Sequence, residues 1–145
     1  MKIRDVMTRD AKLASPTDTL ERAAKLMKQC DCGSLPVADG DRLAGMITDR
    51  DIAIRAVAEG RGPDSRVREA MSGEVLYCFD DQDIDEVCKN MAEIQVRRLP
   101  VVNRDKRLVG IVSIGDLARK EAGSARALHG IARPSAQHNQ SRAAA

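Results

Sequence analysis

The sequence repeats itself with a shift of 64 residues, and no other property constrains its fold so tightly. Ile3-Arg4-Asp5-Val6-Met7 returns as Val67-Arg68-Glu69-Ala70-Met71, and Leu35-Pro36-Val37 returns as Leu99-Pro100-Val101. One residue inserted near 103–107 makes the shift 65, so that Arg42-Leu43-Ala44-Gly45-Met46-Ile47-Thr48 reappears as Arg107-Leu108-Val109-Gly110-Ile111-Val112-Ser113. Asp51 and Ile52 then match Asp116 and Leu117. A collinear match of this length marks a duplication within the chain. Each copy holds about 60 residues, too few to bury a large core alone, so the two copies are expected to form one unit.

Each copy reads as strand, helix, strand, strand, helix, an α/β (α+β) pattern. In the first, Leu20, Ala23, Ala24 and Met27 stand at helical spacing, with Asp18 and Glu21 placed as a capping box. In the second, Ile84, Val87, Cys88 and Met91 fall at the shifted positions. β-rich runs follow over 34–38 and 43–48, and again over 98–103 and 108–112, separated by polar turns that predict hairpins. Second helices are expected over 49–59 and 115–121. The division is therefore repeat one over 1–59, a Gly- and Pro-containing linker over 60–66, repeat two over 67–122, and a tail over 123–145. The tail, rich in Ala, Ser and Gln, is expected to be largely disordered. The repeats are expected to pack through their sheets about a pseudo-twofold axis, which generates two related clefts.

Composition narrows the chemistry. The 24 basic and 22 acidic residues give a net charge of +2, spread without a single-sign field, so nucleic-acid binding is not expected. Apolar runs fall short of the roughly 20 residues that span a bilayer, and the charged start has no signal-peptide core, which predicts a cytoplasmic protein with no membrane partner. Tyr77 and Phe79 are the only aromatics. Cys30, Cys32, Cys78 and Cys88 form no pair of Cys-x-x-Cys motifs, and His129 and His138 lie in the tail, so no metal site is expected and the cysteines read as reduced, partly buried thiols. Neither a nucleophile–histidine pair nor a carboxylate cluster is visible, which argues against catalysis.

Two stretches carry ligand-binding potential, Gly45-Met46-Ile47-Thr48-Asp49-Arg50-Asp51 and Gly110-Ile111-Val112-Ser113-Ile114-Gly115-Asp116. Each joins a strand to a helix start. Unpaired amides and the positive dipole end favour an anion there, and Thr48 and Ser113 are placed to join them as phosphate contacts. A carboxylate one turn on can accept both hydroxyls of a ribose, which nominates Asp51 and Asp116. The same Ser/Thr-x-x-Asp spacing is also a capping box that needs no ligand.

With these motifs the chain resembles a tandem pair of cystathionine-β-synthase (CBS) domains, a regulatory unit known as a Bateman module. The likeness covers about residues 1–120 and rests on three features present twice: the Leu-Pro-Val strand, the Gly-hydrophobic-hydrophobic-Thr/Ser-x-x-Asp motif, and the Ile/Val-Arg-Asp/Glu-x-Met lead-in. The resemblance implies that Thr48 and Ser113 meet phosphate or ribose and that Asp51 and Asp116 hold ribose. It also implies that adenine lies against the first strand of a repeat, at Lys12, Leu13 and Ala14 or at Val75, Leu76 and Tyr77. Tyr77 reads equally well as core. A basic residue before Leu-Pro-Val commonly reaches phosphate in such modules. Arg97 and Arg98 fill those places in copy two, Gly33 and Ser34 in copy one, so the clefts are expected to be unequal. Arg50 is a further candidate phosphate contact, with a solvated side chain as the alternative.

The resemblance implies a non-catalytic sensor, homodimeric, taking AMP, ADP or ATP, with NAD or S-adenosylmethionine as other ligands, and signalling through dimerisation or a regulated protein. Arginines suit phosphate, which favours AMP or ATP. The competing readings are a ligand-free module for protein or nucleic-acid interaction, and a redox or metal responder using Cys30 and Cys32.

Overall fold

In the first copy, Thr19 caps α1 (Leu20–Cys30) by accepting the Arg22 amide at 3.1 Å. The structure, a computed structural model, describes residues 1–118. The cap lies one residue beyond the expected Asp18. Thr19 holds the extended φ of −77° and ψ of 156° that an N-cap requires, whereas the Asp18 carboxylate accepts the Ser15 amide at 2.8 Å. Leu20, Ala23 and Met27 are buried as expected, but Ala24 is exposed. A methyl group that small does not by itself decide which side of a helix turns inward.

β1 (Ser34–Asp39) and β2 (Arg42–Thr48) form the expected antiparallel hairpin, Ser34 opposite Thr48 and Val37 opposite Gly45. Gly40 turns it at a φ of 65°. α2 begins at Asp49–Asp51, widens to a π-type turn over Ile52–Ala56, and tightens over Val57–Glu59 before Gly60 ends it at a φ of 79°. The expected first strand is reduced to one parallel bridge, Ala14 with Val37.

The second copy repeats this plan. β3 (Cys78–Phe79) runs parallel to β4 (Arg98–Val102), which pairs antiparallel with β5 (Leu108–Ser113). The pairs Cys78–Val101 and Arg98–Ser113 match Ala14–Val37 and Ser34–Thr48, and both hairpins shift register at the same point. None of the residues 75–77 expected as a strand therefore belongs to one, since β3 begins only at Cys78. α3 (Ile84–Ile94) buries the full predicted stripe of Ile84, Val87, Cys88 and Met91, and α4 (Ile114–Ala118) follows β5. The end of the expected last helix, the tail and both histidines lie outside the described residues.

Among the described residues, contacts divide the chain into two compact units, and the division does not follow sequence order: Met1–Ala11 belongs with residues 76–118, and Lys12–Val75 forms the other. Each lead-in docks on the opposite copy. The Ile3 amide donates to Gln82 O and the Ile84 amide to Met1 O, while the Val67 amide donates to Asp18 O and the Leu20 amide to Ser65 O. Thr8 and Ile111 exchange backbone hydrogen bonds, as Ser72 and Met46 do. One core gathers Ile3 and Met7 with Val87, Met91, Leu99 and Val112, and the other gathers Val67 and Ala70 with Leu20, Ala23, Leu35 and Ile47. The close approach explains the glycine of the repeated motif. A Cβ on Gly110 would lie 2.7 Å from Thr8 O, and one on Gly45 would overlap Ser72 O.

Candidate functional site

The two strand–helix corners hold their hydroxyl and carboxylate together. The Thr48 amide donates to Asp51 Oδ2 at 3.0 Å, and the Asp51 amide donates to Thr48 Oγ1 at 3.0 Å. In the second corner, the Ser113 amide and hydroxyl donate to Asp116 Oδ2 at 2.8 and 3.1 Å, and the Asp116 amide donates to Ser113 Oγ at 3.2 Å. Both are capping boxes. Thr48, Asp51 and Asp116 are 2, 4 and 7% exposed, so helix capping alone accounts for the shared spacing. A carboxylate carries about four lone-pair sites, and the box at Asp51 takes one.

Arg55 is a neighbour that motif reading missed. Its Nε lies 3.7 Å from Asp51 Oδ1, one helical turn along, and its Nη1 donates to Met71 O at 3.4 Å. The i,i+4 spacing of an acid and a base on one helix is the signal that could have found it. Arg55 is half exposed while Asp51 is buried, so the pair joins a buried carboxylate to a cation that reaches solvent.

The residues before each Leu-Pro-Val strand meet these corners. Ser34 and Arg98 are the register partners of Thr48 and Ser113, and Gly33 O and Arg97 O accept the Asp49 and Ile114 amides at 2.9 and 3.0 Å. Arg97 is exposed and Arg98 half-buried, whereas Ser34 is buried. Arg50 is exposed, with its amide donating to Asp49 Oδ1. Of the proposed adenine contacts, Ala14 is buried, Val75 is half-buried, and Lys12, Leu13, Leu76 and Tyr77 are exposed.

Tyr77 is not core. Its ring meets Phe79 edge-on at 5.6 Å and accepts a hydrogen bond from Lys106 Nζ at its hydroxyl, while the Arg104 guanidinium lies 4.0 Å from the Phe79 ring centre. Arg104 also forks onto Asp81 at 2.8 and 2.9 Å, which holds the Asp81 carboxyl below its usual range and raises the guanidinium. The β4–β5 turn thus gathers the two aromatics and two cations on one exposed edge.

The cysteines divide in two. Cys78 and Cys88 are buried thiols, and burial pushes the Cys78 thiol up to about 12, with Asp80 adding to the shift. Cys30 and Cys32 are joined in a disulfide, which corrects the expectation of four thiols. Asp31 between them takes a left-handed φ of 51°, and this turn brings the two Cα atoms to 5.3 Å. Among the described residues no three His, Cys, Asp or Glu side chains converge to hold a metal ion, and no helix is long and apolar enough to cross a membrane.

Comparison with known proteins gives a consistent result. The family model described as CBS domain matches residues 3–57 and 67–123. The CBS domain-containing protein YhcV of Bacillus subtilis is 42% identical over 128 residues, covering 85% of this chain and 91% of that protein. The crystal structure of Hypoxic Response Protein I with two coordinated zinc ions superposes with a TM-score of 0.75 at 39% identity, covering 84% of this chain and all of that one. The CBS domain pair of protein MJ0100, in complex with 5-methylthioadenosine and S-adenosyl-L-methionine, gives a TM-score of 0.70 at 28% identity, covering 83% of this chain and 94% of that one. CBSX2 in complex with AMP gives 0.72 at 25% identity, covering 82 and 94%.

Proposed function

The chain belongs to the CBS domain family as a tandem pair, and from that premise we propose that it is a non-catalytic regulatory module that binds an adenosine-containing nucleotide at its two strand–helix corners. What carries the reading is the pairing of similar CBS modules with adenosine ligands, AMP in one and S-adenosylmethionine with methylthioadenosine in another. The common part of these ligands is adenine with ribose. In this chain Asp51 and Asp116 would accept the ribose hydroxyls, and Thr48, Ser113, Arg97, Arg98 and Arg50 would meet phosphate. The strand-start residues 12–14 and 75–77 would face the base.

The capping boxes are compatible with this role. They preorganise each carboxylate and orient it at no cost when ligand arrives. At Asp51 the entering ribose displaces the side chain of Arg55, which then becomes a further cation for phosphate. Arg98 favours AMP, ADP or ATP over a methionine cation in the second corner, because a guanidinium repels a sulfonium and forks onto phosphate.

We further propose a cytoplasmic homodimer that passes nucleotide occupancy to a regulated protein. Ile54 and Val57, one turn apart on α2, are 50 and 66% exposed, an apolar face suited to a second copy. A thermal-shift panel of adenine and guanine nucleotides tests the ligand. At about 100 times the dissociation constant a native-state ligand adds roughly 2.7 kcal/mol. The expected result is a raised melting temperature with AMP, ADP or ATP and none with GMP or GTP. No shift with any adenosine compound contradicts the proposal.

A further inference from the structure

The Cys30–Cys32 disulfide encloses a single residue at the end of α1. A cross-link stabilises mainly by restricting the unfolded chain, and the restriction grows with the number of residues enclosed. At a separation of 2 it is close to minimal. The second copy shows that the turn needs no sulfur. There Ile94, Gln95 and Val96 follow the same path, with Gln95 at φ 57° where Asp31 has φ 51°. The Gln95 and Val96 amides both donate to Met91 O, as those of Asp31 and Cys32 both donate to Met27 O. The bond is also reachable: Cys30 is exposed and Cys32 half-buried, whereas Cys78 and Cys88 are sealed in the core. An exposed disulfide without a stabilising task belongs to the labile class.

We infer that Cys30 and Cys32 form a reversible two-electron thiol–disulfide site, opened by monothiols of the glutathione type and closed by their oxidised disulfides, whose state acts on the first strand–helix corner. Opening begins when a small thiolate attacks Cys30 Sγ. The S–S bond breaks, Cys32 leaves as a thiolate and takes a proton from water, and a mixed disulfide remains on Cys30. A second small thiolate attacks the small-molecule sulfur of that mixed disulfide, releasing the oxidised small disulfide and the Cys30 thiolate, which is protonated in turn. The protein gains two electrons and two protons, and two small thiols are oxidised.

The connection to the corner is covalent and short. Gly33 follows Cys32 directly and its carbonyl accepts the Asp49 amide at 2.9 Å, while Ser34 pairs with Thr48. A Cβ on Gly33 would lie 3.1 Å from Asp49 Oδ2, so the strand start and the helix start are packed closely. Opening the cross-link removes the covalent restraint that borders this contact. The equivalent bond from Ile114 to Arg97 O has no cysteine beside it and serves as an internal control.

The test uses the full chain in graded glutathione buffers without nucleotide, with rapid alkylation and mass spectrometry. Cys30 and Cys32 are expected to become labelled together, the ratio of doubly labelled to unlabelled pair rising with the squared concentration of reduced glutathione divided by the concentration of oxidised glutathione, with Cys78 and Cys88 unlabelled. Cys32→Ser is expected to trap a mixed disulfide on Cys30. The Asp49 amide should exchange several-fold faster in the reduced protein, and the Ile114 amide at an unchanged rate. A bond that stays closed until helical circular dichroism is lost, or that fails to form in excess oxidised glutathione, would overturn the redox site, and an unaltered Asp49 rate would overturn its action on the corner. Because no nucleotide is present, either failure leaves the ligand proposal standing.

Discussion

Arg98 is the register partner of Ser113 across β4 and β5, while in the first copy Ser34 is the partner of Thr48. Arg98 is thus one of the cations by which the corners differ, with Arg97 beside it and with Arg50 and Arg55 in the first copy. Arg98→Ala is expected to weaken AMP binding by about tenfold, the loss of a charged hydrogen bond of roughly 1.5 kcal/mol, and to leave adenosine binding unaltered. Calorimetric titration of both ligands checks this. Equal losses for AMP and adenosine would show that Arg98 does not act on phosphate.

The lead-in exchange makes a prediction about stability. Ile3 is fully buried among residues of the second copy, so Ile3→Ala should cost about 3 kcal/mol through lost burial and a cavity. Native-state hydrogen exchange should report the loss at Val87 and Met91 in α3. Loss of protection confined to Ala23 and Met27 in α1 would place the lead-in on the wrong core.

Gly45 and Gly110 are closed to any side chain by the lead-in carbonyls of Ser72 and Thr8. Alanine at either position is expected to destabilise by about 1–3 kcal/mol, since the obstacle is backbone and cannot swing aside. Gly73→Ala, with nothing within 4 Å of the new methyl, should be near neutral. Urea denaturation of the three variants tests the ranking.

How far this architecture could be read from the residues depends on how local each determinant is. The hairpins and the α3 stripe were legible because β-rich runs, turn residues and helical spacing are properties of neighbouring residues, and the duplication gave each a second reading. The exchange of lead-ins was not, because the bond from Ile3 to Gln82 joins residues far apart in the sequence. Capping at Thr19 and not Asp18 turned on backbone angles, as both residue types cap well. The Thr48–Asp51 pair was found, yet its spacing alone could not separate a cap from a ligand site. Arg55 was overlooked since it lies outside the repeated motif.

Cys78 supplies a pH prediction. Burial favours the neutral thiol and raises its pKa from 9.0 to about 12, so the folded state holds its proton where the unfolded state has lost it. The stability this contributes is complete below pH 9.0 and declines as pH rises toward about 12. Cys78→Ala should flatten that alkaline decline in thermal melts, and an unchanged slope would assign the decline to other groups.

Isothermal titration of AMP into the wild type and an Asp51→Asn, Asp116→Asn double variant tests the central claim most directly. Asparagine keeps an acceptor for each helix cap but removes the charge that a ribose diol would meet. Binding by the wild type and a loss of about tenfold or more in the variant, with its melting temperature nearly preserved, is the predicted outcome. Equal affinity in the two proteins, or no heat from the wild type with AMP, ADP or ATP, would contradict it.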